Sequence, residues 1–257
     1  MTPSRSHLVL IPSYNTGRLL LDTVRSARAQ WAPVWVVIDG STDGSDRALQ
    51  ALAEGDPQLR VIVLPHNQGK GAAVLHGLRA ALDAGFTHAL TMDADGQHPA
   101  AMIPEFMQHS LARPQTMVLG RPVFDASAPL LRVRGRRVSN GWTNLETLGA
   151  GVADSLFGFR VYPAAALAAV MARQPWMRRF DFDTEAVVRL AWRGVKPVNV
   201  DAPCVYPKAE DGGVSHFRYG RDNLLLTWMH TRLMAEFVLR LPVLLWRRWR
   251  KRPPFQD

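Results

Sequence analysis

The stretch Val36-Val37-Ile38-Asp39-Gly40-Ser41-Thr42-Asp43-Gly44-Ser45 joins a short apolar run to an acidic turn rich in glycine and serine. A helix-like segment, residues 46–53, follows directly. A short apolar run bounded by turn residues is typical of a buried β-strand. We therefore predict a strand, a turn and a helix at this point of the chain.

The same unit recurs on both sides of this stretch. Predicted strands cover residues 8–11, 34–38, 60–64, 87–92, 116–119 and 196–200, and predicted helices cover residues 17–30, 46–53, 71–84 and 104–111. The alternation predicts an α/β fold, a mainly parallel doubly wound sheet flanked by helices. In such sheets ligands bind beyond the carboxyl ends of the strands, where the polar motifs of this chain lie.

Composition limits the function classes. The chain has 257 residues and a net charge of +9, which suits anionic partners. Its single cysteine, Cys204, excludes an intrachain disulfide and fits a reducing cytosol. No secretory signal is evident, and no apolar run approaches the roughly 20 residues that span a bilayer. We therefore expect a cytoplasmic protein, peripheral on the inner face of the cell membrane.

The strongest motif is Thr91-Met92-Asp93-Ala94-Asp95-Gly96-Gln97-His98-Pro99. Asp93 and Asp95 are two residues apart after a predicted strand, so in an extended chain their side chains point the same way. Gln97 adds an amide oxygen. Such oxygen ligands suit Mg²⁺ or Mn²⁺, which could neutralise a diphosphate leaving group. The alternative is a turn in which both aspartates bond backbone amides.

Three further motifs follow or precede predicted elements. Asp39 comes too early to cap the next helix, which Asp43 or Ser45 would cap, so it is available for a ribose or a base. Tyr14 could stack on a base, unless its segment is an ordinary turn. Lys70, between two glycines at a helix N-terminus, could bind phosphate, although the spacing is not that of a P-loop.

Taken together, these motifs resemble those of family-2 glycosyltransferases with the GT-A fold. The resemblance covers roughly the first 200 residues and is strongest to the polyprenyl- and dolichol-phosphate mannosyl- and glucosyltransferases. Its segments are residues 11–15, 39–43, 67–71, 93–99, 154–160, 182–185 and 214–216. Several motifs in the same order are more specific than any one of them.

The resemblance implies an inverting enzyme that moves a sugar from a UDP- or GDP-sugar to a lipid-linked acceptor, either a polyprenyl phosphate or a hydroxylated lipid or polyene. It implies nucleotide contacts from Pro12, Tyr14, Asn15, Asp39, Gly40, Lys70, Asp93, Ala94 and Asp95. It implies Mg²⁺ or Mn²⁺ bound by Asp93, Asp95 and Gln97, with Asp95 catalytic. Phosphate contacts fall to Arg121, Arg136, Lys208 and Ser215, with Arg132 or Arg137 as alternatives to the first two.

The acceptor decides whether a base is needed. A lipid phosphate is already anionic, whereas a hydroxyl must lose a proton, and Asp183 or Glu185 could take it. The neighbouring Phe180 and Phe182 could raise their pKa values. Alternatively, both acids are there because the helix dipole favours them at a helix start.

The C-terminal region differs in character. We predict a glycosyltransferase domain over residues 1–216 and basic amphipathic helices over residues 217–257 that lie in the membrane interface. A helix pair packed on the catalytic domain and a homo-oligomer contact remain alternatives. No nucleic-acid-binding module is recognised. A non-catalytic nucleotide-sugar-binding or membrane scaffold protein on the same fold is the alternative to an enzyme.

Overall fold

The structure is a computed structural model that describes residues 2–124, 130–204 and 219–250. Seven strands are described: β1 (His7–Ser13), β2 (Val34–Asp39), β3 (Leu59–Leu64), β4 (His88–Thr91), β5 (Thr116–Phe124), β6 (Arg160–Pro163) and β7 (Lys196–Cys204). Eight α-helices are described: α1 (Arg18–Gln30), α2 (Ser45–Glu54), α3 (Lys70–Asp83), α4 (Ile103–Ala112), α5 (Leu130–Glu146), α6 (Ala164–Ala172), α7 (Phe182–Trp192) and α8 (Tyr219–Arg250).

One sheet contains all seven strands, in the order β3-β2-β1-β4-β6-β5-β7. The pairs β1–β2, β2–β3, β1–β4 and β5–β7 are parallel, which confirms the predicted mainly parallel α/β sheet. β6 is antiparallel to both of its neighbours and was not predicted as a strand. It has only four residues and begins with Arg160, so it lacks the apolar run that marks the other strands.

Two hydrophobic cores lie on the two faces of the sheet. Side chains alternate along a strand, so Leu8 and Leu10 of β1 join one core while Val9 and Ile11 join the other. Helices α3, α6 and α7 contribute to the first core, and α1, α2 and α4 to the second. Covering both faces leaves the strand ends as the exposed polar edges of the sheet.

Helix α8 packs against α5 and α7. Its Met229, Leu233 and Phe237 are buried against Val188 and Trp192 of α7. This packing corresponds to one alternative left open by the sequence, although α8 is a single helix containing Pro242 rather than a pair. The proposed boundary at residue 216 lies outside the described residues. Within the described residues, no helix combines the length and hydropathy needed to cross a bilayer.

Polar contacts also dock α8. His230 lies 2.9 Å from Glu146 Oε1 through Nδ1 and 3.0 Å from Ser139 Oγ through Nε2, both on α5. Arg247 donates to the carbonyl of Trp192 at the end of α7. Arg248 likewise donates to the carbonyl of Leu148, so two basic residues of the helical region predicted to lie in the membrane interface are bound to the protein itself.

Candidate active site

The site is an acidic cluster built around Lys70 at the carboxyl end of β4. Lys70 Nζ lies 2.7 Å from Asp93 Oδ1 and 2.7 Å from Asp183 Oδ2. Lys70 begins α3, Asp93 follows β4, and Asp183 lies in the first turn of α7. The fold thus brings together three ionisable side chains from distant parts of the chain.

The neighbouring carboxylates keep Lys70 protonated. Burial lowers the pKa of the ammonium group, but the charges of Asp183 and Asp93 outweigh this and leave the pKa above its ordinary value. The same ion pair keeps the pKa of Asp93 below its ordinary value, although burial acts in the opposite direction. Lys70 and Asp93 are therefore both charged at neutral pH.

The glycines around Lys70 have a packing role. A Cβ on Gly69 would lie 2.3 Å from the carbonyl oxygen of Arg178, and one on Gly71 would lie 2.2 Å from that of Met177. Ala72 N donates to the Arg178 carbonyl at 3.2 Å. The residues that begin α3 are therefore covered by protein backbone, which argues against the expected phosphate cradle there. Lys70 itself reaches the acidic cluster.

Of the two aspartates in the motif, Asp95 is the one whose pKa is raised. Burial, followed by the charge of Asp93, raises the pKa of Asp95 to about 6. Its Oδ1 accepts a hydrogen bond from Gln97 N at 3.1 Å. The turn that was the alternative to a metal site is therefore formed at Asp95, but it uses only that oxygen.

The oxygen ligands fit a divalent cation only in part. Within the described ranges, no group of three or more His, Cys, Asp and Glu side chains could hold a metal ion. Burial and the charge of Asp93 raise the pKa of Asp95, so a cation bound between the two carboxylates would favour the ionised form of Asp95. Two carboxylates and the half-buried Gln97, completed by phosphate oxygens and water, are the kind of ligand set that Mg²⁺ accepts. Asp93, Asp95 and Gln97 thus fit a cation that arrives with a phosphorylated ligand.

One oxygen of the cluster lacks a partner. Asp183 Oδ1 is buried and makes no hydrogen bond. A buried acceptor without a donor is costly, and such groups are often completed by a ligand. Asp183 is therefore the acid of α7 that faces the site, and its role as a base remains a prediction.

Glu185, the other candidate, faces elsewhere. It is fully buried, and its Oε1 lies 2.8 Å from Arg189 while its Oε2 lies 3.3 Å from Arg232 of α8. Both oxygens are engaged by guanidinium groups. The expected catalytic role of Glu185 is therefore corrected to a structural one, because the helical rotation between positions 183 and 185 turns the two acids to different sides.

Several site residues were missed by sequence reasoning. His98 is buried, and its Nδ1 accepts a hydrogen bond from Asp93 N at 2.9 Å. Burial lowers the pKa of His98 to about 4, so the ring is neutral and its proton lies on Nε2. His98 was quoted in the motif, but only its spacing from Asp93 could have signalled that it fixes the turn.

Gly158, just before β6, and Arg160, the first residue of β6, support the cluster. A Cβ on Gly158 would lie 2.8 Å from Lys70 Nζ and 3.0 Å from Asp93 Oδ2. Arg160 is fully buried and donates to the backbone carbonyl of Asp183 and, at 3.0 Å, to Tyr162 Oη. Arg160 therefore fixes the start of α7.

The residues expected to hold a nucleoside lie at the ends of β1 and β2. Both oxygens of Asp39 accept backbone hydrogen bonds, from Gln68 N at 2.8 Å and from Gly69 N at 2.7 Å. Asp39 is therefore not free, contrary to expectation. It ties β2 to the segment before Lys70, and Gly40 lies so close to His66 that a Cβ would overlap its backbone.

The loop after β1 is tied to the loop after β2. Asn15 N donates to Ser41 Oγ at 3.0 Å, and Asn15 Oδ1 accepts from Thr42 N at 2.8 Å. Pro12 is a buried residue of β1, and Tyr14 is 38% exposed beside this junction. The two loops therefore form one surface with an accessible aromatic ring.

Asp43, just before α2, and Ala94, within the Asp93 motif, both make contacts within the protein. Asp43 accepts from Ser45 N at 3.1 Å and from Gly17 N at 2.8 Å, so Asp43 is the acceptor at the start of α2. Ala94 is buried, and its carbonyl accepts from Thr23 Oγ1 at 3.3 Å. The side chain of Ala94 therefore packs in the core.

The expected phosphate-binding arginines are paired with acids. Arg121 forms a bidentate ion pair with Asp201 on the adjacent strand, and both are exposed. Arg136 donates to Asp154 at 2.8 Å and is mostly buried. The structure does not bring either residue into the Lys70 cluster. Lys208 and Ser215 lie outside the described residues.

A mainly parallel sheet with a central β1–β4 pair and two carboxylates following β4 defines a protein of the GT-A class. The sequence profile of Glycosyl transferase family 2 matches residues 8–169. The chain belongs to this family.

Similar proteins agree with this assignment. The chain is 27% identical over 220 residues to an undecaprenyl-phosphate mannosyltransferase of Micrococcus luteus, covering 80% of this chain and 85% of that protein. It is 27% identical over 219 residues to a polyprenol monophosphomannose synthase of Mycolicibacterium smegmatis, covering 82% and 80%. Among solved structures, a glucosyl-3-phosphoglycerate synthase from Mycobacterium tuberculosis, in complex with Mn²⁺, UDP-glucose and phosphoglyceric acid, has a TM-score of 0.63 at 17% identity, covering 92% and 80%.

Proposed function

We propose that this chain is an inverting glycosyltransferase that moves a sugar from a UDP- or GDP-sugar to a lipid-linked acceptor, with a polyprenyl phosphate as the favoured acceptor class. The observation that carries the proposal is the cluster of Lys70, Asp93, Asp95 and Asp183 beyond β4. Charged side chains in this arrangement suit a phosphorylated donor whose leaving group gains negative charge.

Donor binding is assigned to the edge formed by β1, β2 and β4. Tyr14 offers a stacking face for the base, and Asn15, Asp39 and Gly40 shape the surface beneath it. Asp93, Asp95 and Gln97 would hold Mg²⁺ or Mn²⁺. A bound cation would supply charge neutralisation for the departing diphosphate. The solved relative with Mn²⁺ and UDP-glucose supports this assignment by fold alone.

The acceptor assignment rests on the relatives, whose names specify undecaprenyl phosphate and polyprenol phosphate chemistry. A phosphate oxygen is already anionic and attacks without losing a proton. Lys70 would balance the added charge beside Asp93 and Asp183. A hydroxyl acceptor is the second candidate, favoured by Asp183 Oδ1, which is buried and has no hydrogen-bond donor.

Membrane association of α8 is part of the proposal. Leu224, Trp228 and Leu239 are exposed along the helix, and Trp249 is 80% exposed near its end. Exposed apolar side chains next to basic residues suit the interface of an anionic membrane. We assign the protein to the inner face of the cell membrane because its proposed donor is a cytosolic nucleotide-sugar.

The test is a donor screen with purified protein, a divalent cation and two acceptors, undecaprenyl phosphate and a hydroxylated lipid. Asp95→Asn should lower transfer by about 10³-fold, because several kcal/mol of charge stabilisation is lost. Asp83→Asn, an exposed acid at the end of α3, is the matched control. Unchanged turnover of Asp95→Asn would remove the metal role.

A thermal shift separates an enzyme from a scaffold protein. UDP or GDP should raise the melting temperature of the wild type more with Mn²⁺ than without it. A nucleotide response that ignores the metal, together with no transfer to either acceptor, would favour the scaffold interpretation.

A further inference from the structure

A cavity lined by basic side chains lies on the outer side of α3. It has a volume of about 220 Å³ and is lined by α3, α6 and the segment that follows α6. Arg79, Arg173 and Arg178 line it together with His76 and Gln68, and no aspartate or glutamate does. Residues 72, 75, 76 and 79 form the cavity face of α3, whereas Ala73 and Leu78 pack on the sheet. Lys70 does not line this cavity.

The three arginines are not neutralised. Within the part of the chain that the structure describes, no salt bridge engages Arg79, Arg173 or Arg178, although eight other lysine and arginine side chains take part in such pairs. All three are exposed at the rim of the cavity. The site thus offers guanidinium groups to an anion without a competing acid.

The segment beside the cavity carries exposed aromatic rings. Trp176 is 56% exposed and Phe180 is 44% exposed, next to the basic Arg178 and Arg179. Arg232 of α8 lies 5.2 Å from the ring of Trp176, so this segment adjoins the helix assigned to the membrane. Tryptophan and arginine together are typical of surfaces that meet lipid headgroups.

We propose that this cavity binds a phosphate group, and that the neighbouring Trp176 and Phe180 make an anionic phospholipid headgroup its carrier. Guanidinium groups bind phosphate oxygens through paired, charge-assisted hydrogen bonds. The site is separate from the Lys70 cluster, and the inference does not require transferase activity. Occupying it would give the protein a second membrane contact besides α8.

The experiment uses the full chain and measures binding to phosphatidylcholine vesicles with and without phosphatidylglycerol. The variant Arg79→Ser/Arg173→Ser should lose about tenfold in affinity for the anionic vesicles, since each arginine near such a surface contributes measurably. Arg5→Ser/Arg113→Ser removes the same charge from exposed positions elsewhere and should bind like the wild type. Trp176→Ser should weaken vesicle binding while leaving phosphate binding intact.

A second arm measures binding of inorganic phosphate by calorimetry. If Arg79→Ser/Arg173→Ser loses phosphate binding but keeps its vesicle affinity, the phosphate site stands and its carrier is free phosphate. If the variant matches the wild type in both arms, or the control pair falls as far, the cavity is not a phosphate site. Neither arm needs a sugar donor, so the outcome is independent of the proposed function.

Discussion

Two acids two residues apart on α7 have opposite surroundings. Asp183 faces Lys70, which it shares with Asp93, and keeps one buried oxygen without a partner. Glu185 is enclosed by Arg189 and Arg232, which engage both of its oxygens. We call the first cluster open, because a carboxylate oxygen has no partner, and the second closed, because both oxygens of Glu185 are engaged, although Arg232 Nε is buried without a hydrogen bond.

The closed cluster extends onto α8. Arg189 also lies 2.8 Å from Glu236, which in turn pairs with Arg240 at 2.7 Å. Every carboxylate in this chain of charges has a guanidinium partner, so it joins two helices and has no evident need of a ligand. Both acids are buried and both lie in the first turn of α7, so neither property distinguishes them. The side chains that face each acid do.

The largest expected contrast comes from neutralising each acid separately. Glu185→Gln should lower the free energy of unfolding by about 3 kcal/mol, because the mostly buried Arg232 loses its nearest carboxylate and Arg189 keeps only Glu236. Asp183→Asn should lower transfer by about 10²-fold with a much smaller effect on stability. Denaturant unfolding and initial transfer rates measure the two quantities.

The opposite result would contradict the contrast drawn between the two acids. If Glu185→Gln retains its stability and loses transfer, Glu185 contacts a substrate after all. The acceptor screen sharpens the result, because a hydroxyl acceptor needs a base and should show the larger loss in Asp183→Asn, whereas a phosphate acceptor needs none and should show a smaller one.

A smaller effect is expected from the pH dependence of Asp95. Its folded pKa of about 6 exceeds the ordinary 3.8, so folding favours the protonated acid. The resulting stability is complete below pH 3.8 and is lost as the pH rises through 6, on the order of 3 kcal/mol in all. Without divalent cations, Asp95→Asn should therefore become more stable than the wild type between pH 4 and pH 7.

Unfolding curves of both proteins at several pH values, with a chelator present, provide the measurement. A difference between them that stays constant with pH would show that neither burial nor Asp93 raises the pKa of Asp95. Added Mn²⁺ should stabilise the wild type and leave Asp95→Asn unchanged.

Gly158→Ala tests how tightly the open cluster is packed. A methyl group there would press on Lys70 Nζ and Asp93 Oδ2, so we expect about a tenfold loss of transfer, since small displacements at a reaction centre are costly. Gly141→Ala, in α5 with open space around it, should instead raise stability by about 0.5–1 kcal/mol. Equal transfer rates in the wild type and Gly158→Ala would mean that the side chains of the cluster move aside for the methyl group without loss of activity.

The smallest effect should come from the outer end of the closed cluster. Arg240 is half exposed and pairs with Glu236 one helical turn away. Arg240→Ala should therefore lower the free energy of unfolding by less than about 1 kcal/mol. A loss as large as that of Glu185→Gln would show that the whole chain of charges acts as one unit.

Sequence reasoning located the elements that a local pattern of residues marks. The six predicted strands correspond to β1 to β5 and to β7, and the motif around Asp93 and Asp95 was correctly placed after β4. The contacts of Asp39, Lys70 and Glu185 were not predictable, because their partners lie on other elements. Lys70 and Asp183 are 113 positions apart, and no local pattern reports such a pairing.

The closed cluster has a consequence for biosynthesis. Arg232 follows Glu185 by 47 positions, so a ribosome that adds about 5–20 residues per second delivers this partner several seconds later. During that interval a nascent chain that has already formed α7 holds Glu185 with Arg189 alone. Completion of this ion network therefore waits until Arg232 has been synthesised and can reach Glu185.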